Sequence, residues 1–127
     1  MSFAWVEYLA VAEVLVHQRG TLADAEACCR AAISRAYYAA FGAARNHARD
    51  VEGLVLTQTG DDHRQVVLHY RRAPDPVHQE LGELLFRLRR HRTQADYADT
   101  VPDVVSRAYA TCRRARRVFG LLEALQG

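Results

Sequence analysis

The sequence predicts an all-α protein, an antiparallel four-helix-type bundle with one extra short helix. Three observations lead there. Apolar residues recur at three- and four-residue spacing through most of the chain, and no stretch shows the two-residue alternation of a half-buried strand. The breaks fall at glycine and proline signals of the kind that end and begin helices.

In chain order, Ser2 is placed to cap a first helix carrying Trp5, Tyr8, Leu9, Ala12 and Val16 on one stripe, which Gly20 ends. Thr21 and Asp24 form a start signal for a second helix. Its stripe runs from Leu22 through Cys29, Ile33, Tyr37 and Phe41 to Ala44, and with no proline to interrupt it the helix extends for about 27 residues, roughly 40 Å. A glycine-containing connection follows, "DVEGLVLTQTG", and then a short helix opened by Asp61 or Asp62. Asp75 and Pro76 set an N-cap and first helical position for a fourth helix with Leu81, Leu84, Leu85 and Leu88, fading near Ala95. Thr100 or Val101 before Pro102 repeats the device for a last helix bearing Val105, Tyr109, Cys112, Val118, Leu121, Leu122 and Leu125.

A chain of 127 residues suits one domain, 1–127, with one core. Apolar residues make up 50% and charged residues 25%, the balance of a soluble globular protein, and a net charge of +2 is too small to imply nucleic-acid binding by itself. All 17 basic residues are arginine, a side chain that grips phosphate in a planar, two-pronged fashion; clustering in "RLRRHR" and "CRRARR" makes such a surface possible. Cys28, Cys29 and Cys112 have neither disulfide nor zinc spacing and read as small apolar residues of a reducing compartment. No apolar run approaches the length of a membrane span and no leader pattern opens the chain, so a soluble cytoplasmic protein is expected, with no membrane partner.

Most chemical signatures are missing. There is no glycine-rich phosphate loop and no His-Glu-x-x-His pair, so neither a cofactor nor a metal is expected. "DDH" at 61–63 reads as a helix start; His17, His47, His69 and His78 stand alone and read as surface or satisfied core residues; "CRRARR" reads as a solvated helix face. Two segments carry more. In "AISRAYYAAFGAA" (31–43) small residues keep the helix slim, Tyr37 and Phe41 share a core face, and Arg35 and Tyr38 share another. Arg35 within this apolar stretch calls for an acidic partner, and Asp96 is the expected one. Around "RHRTQADY" (90–97), Arg87 just before it lies one turn from His91, and Arg92 precedes Tyr97 by five residues.

These two segments together resemble the HEPN superfamily, and within it the small stand-alone prokaryotic members. "AISRAYYAAF" is similar to that group's second-helix motif, and Arg92, Ala95, Asp96 and Tyr97 to its fourth-helix motif R-x-x-ADY; His63 falls where a histidine often opens the short middle helix. Gly42 departs from the pattern, in which His or a similar residue often follows the Phe. The resemblance implies a bundle that commonly dimerises, here through its second and fourth helices. It also implies a toxin–antitoxin or defence-type role directed at RNA or, as the alternative, a nucleotide- or partner-binding module acting with a nucleotidyltransferase. In nuclease members an arginine, followed after four to six residues by a histidine, cuts RNA without metal: a base takes the ribose 2′-hydroxyl proton while arginine holds the phosphate. Arg92 matches that arginine, but Tyr97 stands where the histidine belongs, and a phenol with a pKa of about 10 is a poor base. Candidate catalytic residues are therefore Arg92, Tyr97 and His91; candidate RNA- or nucleotide-facing residues are Arg35, Tyr38, Arg87, Asp96 and His63.

Overall fold

Five helices make up the structure, a computed structural model that describes residues 3–127. They are α1 (Val6–His17), α2 (Ala25–Asp50), α3 (Asp62–Arg72), α4 (Pro76–Tyr97) and α5 (Val104–Gln126), with no strand among the described residues. None of them is long and apolar enough to cross a membrane.

Local signals explain where the helices begin, with two revisions. Asp24, not Thr21, caps α2, its carboxylate accepting the Ala27 N–H at 2.9 Å. Asp75 caps α4 through the His78 N–H at 3.1 Å with Pro76 behind it, as the sequence implies. Pro102 does not open α5. The turn continues to Asp103, a left-handed residue (φ 51°) whose side chain makes no cap bond, and the helix begins at Val104. Ser2 lies outside the described residues; α1 starts at Val6 with Trp5 before it.

Paired contacts set the topology. Trp5 meets Gly42 while Tyr8 meets Arg35, so α1 runs against α2. Arg92 meets Tyr38, and His78 meets Glu52 just beyond the end of α2, so α4 also runs against α2. Arg117 bonds Glu80 and Arg107 bonds Gln94, which makes α5 antiparallel to α4. The result is a four-helix bundle of α1, α2, α4 and α5, with α3 added against α4 and the later part of α2.

Helix α2 sits at the centre and touches all four others. Ala32, Ala36, Ala39, Ala40, Ala44 and Ala48 are fully buried against these neighbours, together with Leu9, Ile33, Leu81, Leu85 and Leu88. Each large side chain so buried contributes roughly 1.5–3 kcal/mol. This alanine face is consumed inside the bundle, because four helices can approach a slim central one. The exposed apolar residues lie elsewhere, for example Val6, Val11 and Val14 on α1.

Gly42, the departure from the α2 motif, has a packing reason. The Trp5 indole lies directly on it, and a Cβ there would overlap the ring. Gly42→Ala is expected to destabilise the fold by about 1–2 kcal/mol, because overpacking outweighs the gain in helix propensity of about 1 kcal/mol. Trp5 is the sole tryptophan, so its fluorescence should shift towards the solvated emission. Unchanged emission together with a raised melting temperature would refute this packing account.

Candidate functional site

The R-x-x-ADY segment forms the last turn and a half of α4, where it crosses α2. Ala95 is buried and lets the two helices approach. Arg30 of α2 closes the helix end, donating to the carbonyls of Ala95, Ala98 and Asp99 at 2.6–3.2 Å, which satisfies acceptors the helix itself cannot. Arg92 then lies between the helices. Its Nη2 donates to the Tyr38 hydroxyl at 2.7 Å and its guanidinium stands over the rings of Tyr38 and Tyr97, 5.3 and 5.7 Å from their centroids. Nε is 2.9 Å from Asp96 Oδ2, but its N–H does not point at the carboxylate, so the contact is an ion pair without a hydrogen bond.

The expected Arg35–Asp96 pair does not form. Asp96 is one turn from Arg92 on the same helix, so that pairing orders fewer groups and takes the carboxylate first. Arg35 is half-buried and rests on the faces of Tyr8 and Tyr38 at 5.7 and 5.3 Å; its only link towards Asp96 is Ser34, by two long contacts of 3.4 Å each. Tyr97 is 74% exposed and its hydroxyl has no partner among the described residues, so it is a ring and hydroxyl open to solvent beside Arg92.

His91, the imidazole next in sequence to Arg92, turns away from it towards α5. Burial lowers its pKa from the ordinary 6.5, and the guanidiniums of Arg114, Arg107, Arg90 and Arg87 lower it further. Arg87 and His91 do share a face, as their spacing implies. The crowding reaches Arg114, whose own pKa is lowered by burial and by Arg87 and Arg113. Arg87, Arg89, Arg90, Arg113 and Arg114 have no ion pair and no side-chain hydrogen bond among the described residues. In "CRRARR" Arg113, Arg116 and Arg117 are exposed, as the solvated-face reading has it, and the last two pair with Glu13 and Glu80 at 2.7 and 2.9 Å; Arg114 is half-buried.

His63 comes closer to the candidate site than sequence spacing shows. Its Nδ1 is 2.9 Å from the hydroxyl of Tyr37, and its ring lies against Tyr37 and Phe41. Burial lowers its pKa to about 4, helped by the charges of Arg89, Arg71 and Arg92, so it is neutral at pH 7. Burial likewise raises Tyr37 to about 12, which keeps its proton in that bond. Tyr37 reads as a core residue in the sequence; it is also the group that orients His63.

A second cluster escapes the sequence altogether. His47, His69 and His78, isolated along the chain, converge on Glu52: their Nε2 atoms lie 3.0, 2.7 and 2.7 Å from its carboxylate oxygens. His78 Nδ1 also sits 2.7 Å from Asp75, off line for a hydrogen bond. The imidazoles surround the carboxylate and not a common empty point, and no group of His, Cys, Asp or Glu among the described residues is arranged to hold a metal ion. No sequence signal could have found it, because Glu52 lies in a loop and its partners come from three helices.

No family model, no curated protein and no solved structure matches this chain.

Proposed function

We propose that this chain is an RNA-directed helical module of the HEPN type, working in a toxin–antitoxin or defence-type system, and that it binds RNA along α4 and α5. One observation carries the RNA-directed part: four arginines of α4 and α5, Arg87, Arg90, Arg113 and Arg114, stand without acidic partners among the described residues, close enough for their charges to act on His91 or on one another, in a protein whose net charge is only +2. Like charges crowded this closely repel one another, and a polyanion relieves that repulsion while releasing its counterions. The family part of the reading rests on the two motifs, whose residues Arg92, Tyr38, Asp96 and Tyr97 do form one cluster.

Binding is favoured over cutting. Arg92 is already neutralised by Asp96, His91 faces another helix, and Tyr97 offers a phenol where a base is needed. The exposed ring of Tyr97 suits stacking on an unpaired base.

A salt titration tests the reading. Single-stranded RNA should bind with an affinity that falls steeply as salt rises. Arg87→Ala/Arg114→Ala should reduce the log–log slope by about 1.4, at roughly 0.7 for each phosphate that is no longer neutralised. Product formation in the presence of a chelator, abolished by Arg92→Ala, would move the reading from binding to cleavage. A salt-independent affinity, or a slope untouched by the double substitution, would remove it.

A further inference from the structure

The cleft between α3 and α4 brings His63 and the unpaired Arg89 and Arg90 together with Phe86, which none of the groups described so far contains. It encloses about 620 Å3, within the range of small-molecule sites. Its chemistry is divided. One part is a flat apolar surface, the ring of Phe86, which is 40% exposed. Arg71 lies across that ring with its guanidinium 4.6 Å from the centroid and is held in place by Glu83 at 2.9 Å. Gly82 makes this possible, since a Cβ there would come within 2.7 Å of the Arg71 side chain. The other part is cationic. Arg89 and Arg90 line the cleft, are exposed and have no partner, so their full charge is available.

His63 lines the same cleft. Tyr37 occupies its Nδ1, while its Nε2 is open to solvent and has no partner among the described residues. The ring therefore presents one nitrogen to whatever enters.

We propose that this cleft is a nucleotide site: Arg89 and Arg90 hold the phosphate, the flat base stacks on the platform that Arg71 and Phe86 form together, and His63 Nε2 hydrogen-bonds to the ligand. Paired guanidiniums match phosphate oxygens, and the aromatic–arginine platform matches any base through its π-face. The same chemistry is offered by a free nucleotide and by one unit of an RNA strand. The site goes beyond the RNA-directed reading: it shares Arg90 with the α4–α5 arginines, while Arg89, Phe86, Arg71 and His63 lie in the α3–α4 cleft.

The test is a titration of the whole chain with AMP and, separately, inorganic phosphate, following the His63 imidazole signals by NMR. AMP is expected to perturb them and to bind in the millimolar range or tighter, at about −4 kcal/mol or better. Arg89→Ala/Arg90→Ala should weaken both ligands by about tenfold or more, on the scale of charge-assisted hydrogen bonds removed. Phe86→Ala should weaken AMP and leave phosphate alone. All three side chains are exposed, so both variants should fold. A short oligoadenylate that binds no tighter than AMP assigns the cleft to a free nucleotide, and a large gain assigns it to a strand; both support the site. Arg87→Ala/Arg114→Ala should leave AMP binding intact, which separates failure of the strip from failure of the cleft. No response of His63 to millimolar AMP, or equal AMP affinity in wild type and the Arg89/Arg90 variant, would overturn the proposal.

Discussion

Glu52→Ala is expected to lower the unfolding free energy by about 3 kcal/mol, on the scale of removing one partner from a largely buried polar pair. The Glu52 side chain is 20% exposed and accepts from three histidines. His47 suffers most. Its side chain is 3% exposed, so water cannot replace the carboxylate, and a stranded buried donor costs about 1–3 kcal/mol. His69 and His78 lie nearer the surface and recover part of their loss from solvent. Glu52→Gln should cost less, since an amide oxygen still accepts one bond.

The penalty should also depend on pH. Burial alone would lower the pKa of His78, but the carboxylates of Asp75 and Glu52 outweigh it and hold the imidazolium above the ordinary 6.5. A raised pKa adds stability that is fully present below 6.5 and fades as pH climbs through the folded value. Burial works against the Glu52 carboxylate as well; the hydrogen bonds from His69, His78 and His47 prevail and hold its pKa below the ordinary 4.5, so its contribution is present above 4.5 and fails in stronger acid. Denaturant melts of wild type and Glu52→Ala should therefore differ most between pH 4.5 and 6.5 and narrow, without converging, as pH climbs through the raised His78 value, because the hydrogen bonds that the carboxylate accepts from the other histidines persist. A difference that is flat in pH would show that the cluster acts by packing and not by charge.

Tyr70→Ala should be the costlier substitution, at about 3–5 kcal/mol. Tyr70 is the largest fully buried side chain, and it fastens α3 to the bundle. Its hydroxyl donates to the Ala44 carbonyl of α2 at 2.7 Å, and its ring stands edge-on to His69 and tilted against His78. Tyr70→Phe keeps the ring and loses only the bond, for about 1 kcal/mol. Burial, reinforced by the Glu52 charge, raises the Tyr70 pKa, so the hydroxyl remains a donor throughout the ordinary pH range. Because Tyr70 and the Glu52 cluster share His69 and His78, the penalties of Tyr70→Phe and Glu52→Ala should not add; the double variant should lose less than the sum. Hydrogen exchange in α3 gives a second readout. Faster exchange confined to α3 in Tyr70→Phe is expected, whereas uniform acceleration through all five helices would show that α3 is not a separately anchored unit.

Much of the fold was legible in the sequence by itself. A helix satisfies its backbone locally, so the spacing of apolar residues and the residues at its ends are enough to place it. Asp75–Pro76 marks the start of α4 to the residue, and the uninterrupted run after Asp24 predicts a helix within about one residue of the 26 observed. The signals that misplaced a start, Thr21 and Pro102, each had a rival N-cap within a few residues, and local sequence does not choose between such rivals. The closeness of Arg35 and Tyr38 and the shared face of Arg87 and His91 are likewise one-helix properties.

Which helix meets which residue is a different matter, and only the tertiary structure decided it. Asp96 faces both Arg35 across the interface and Arg92 along its own helix, and the nearer partner prevailed. His63 reaches Tyr37, and Glu52 gathers His47, His69 and His78, across sequence separations of 26 and of 5, 17 and 26 residues. The Trp5 indole claims the space above Gly42 that the motif leaves to a side chain. These pairings depend on the register at which whole helices dock, which is set by the summed packing of all their buried residues; no single spacing in the chain encodes it.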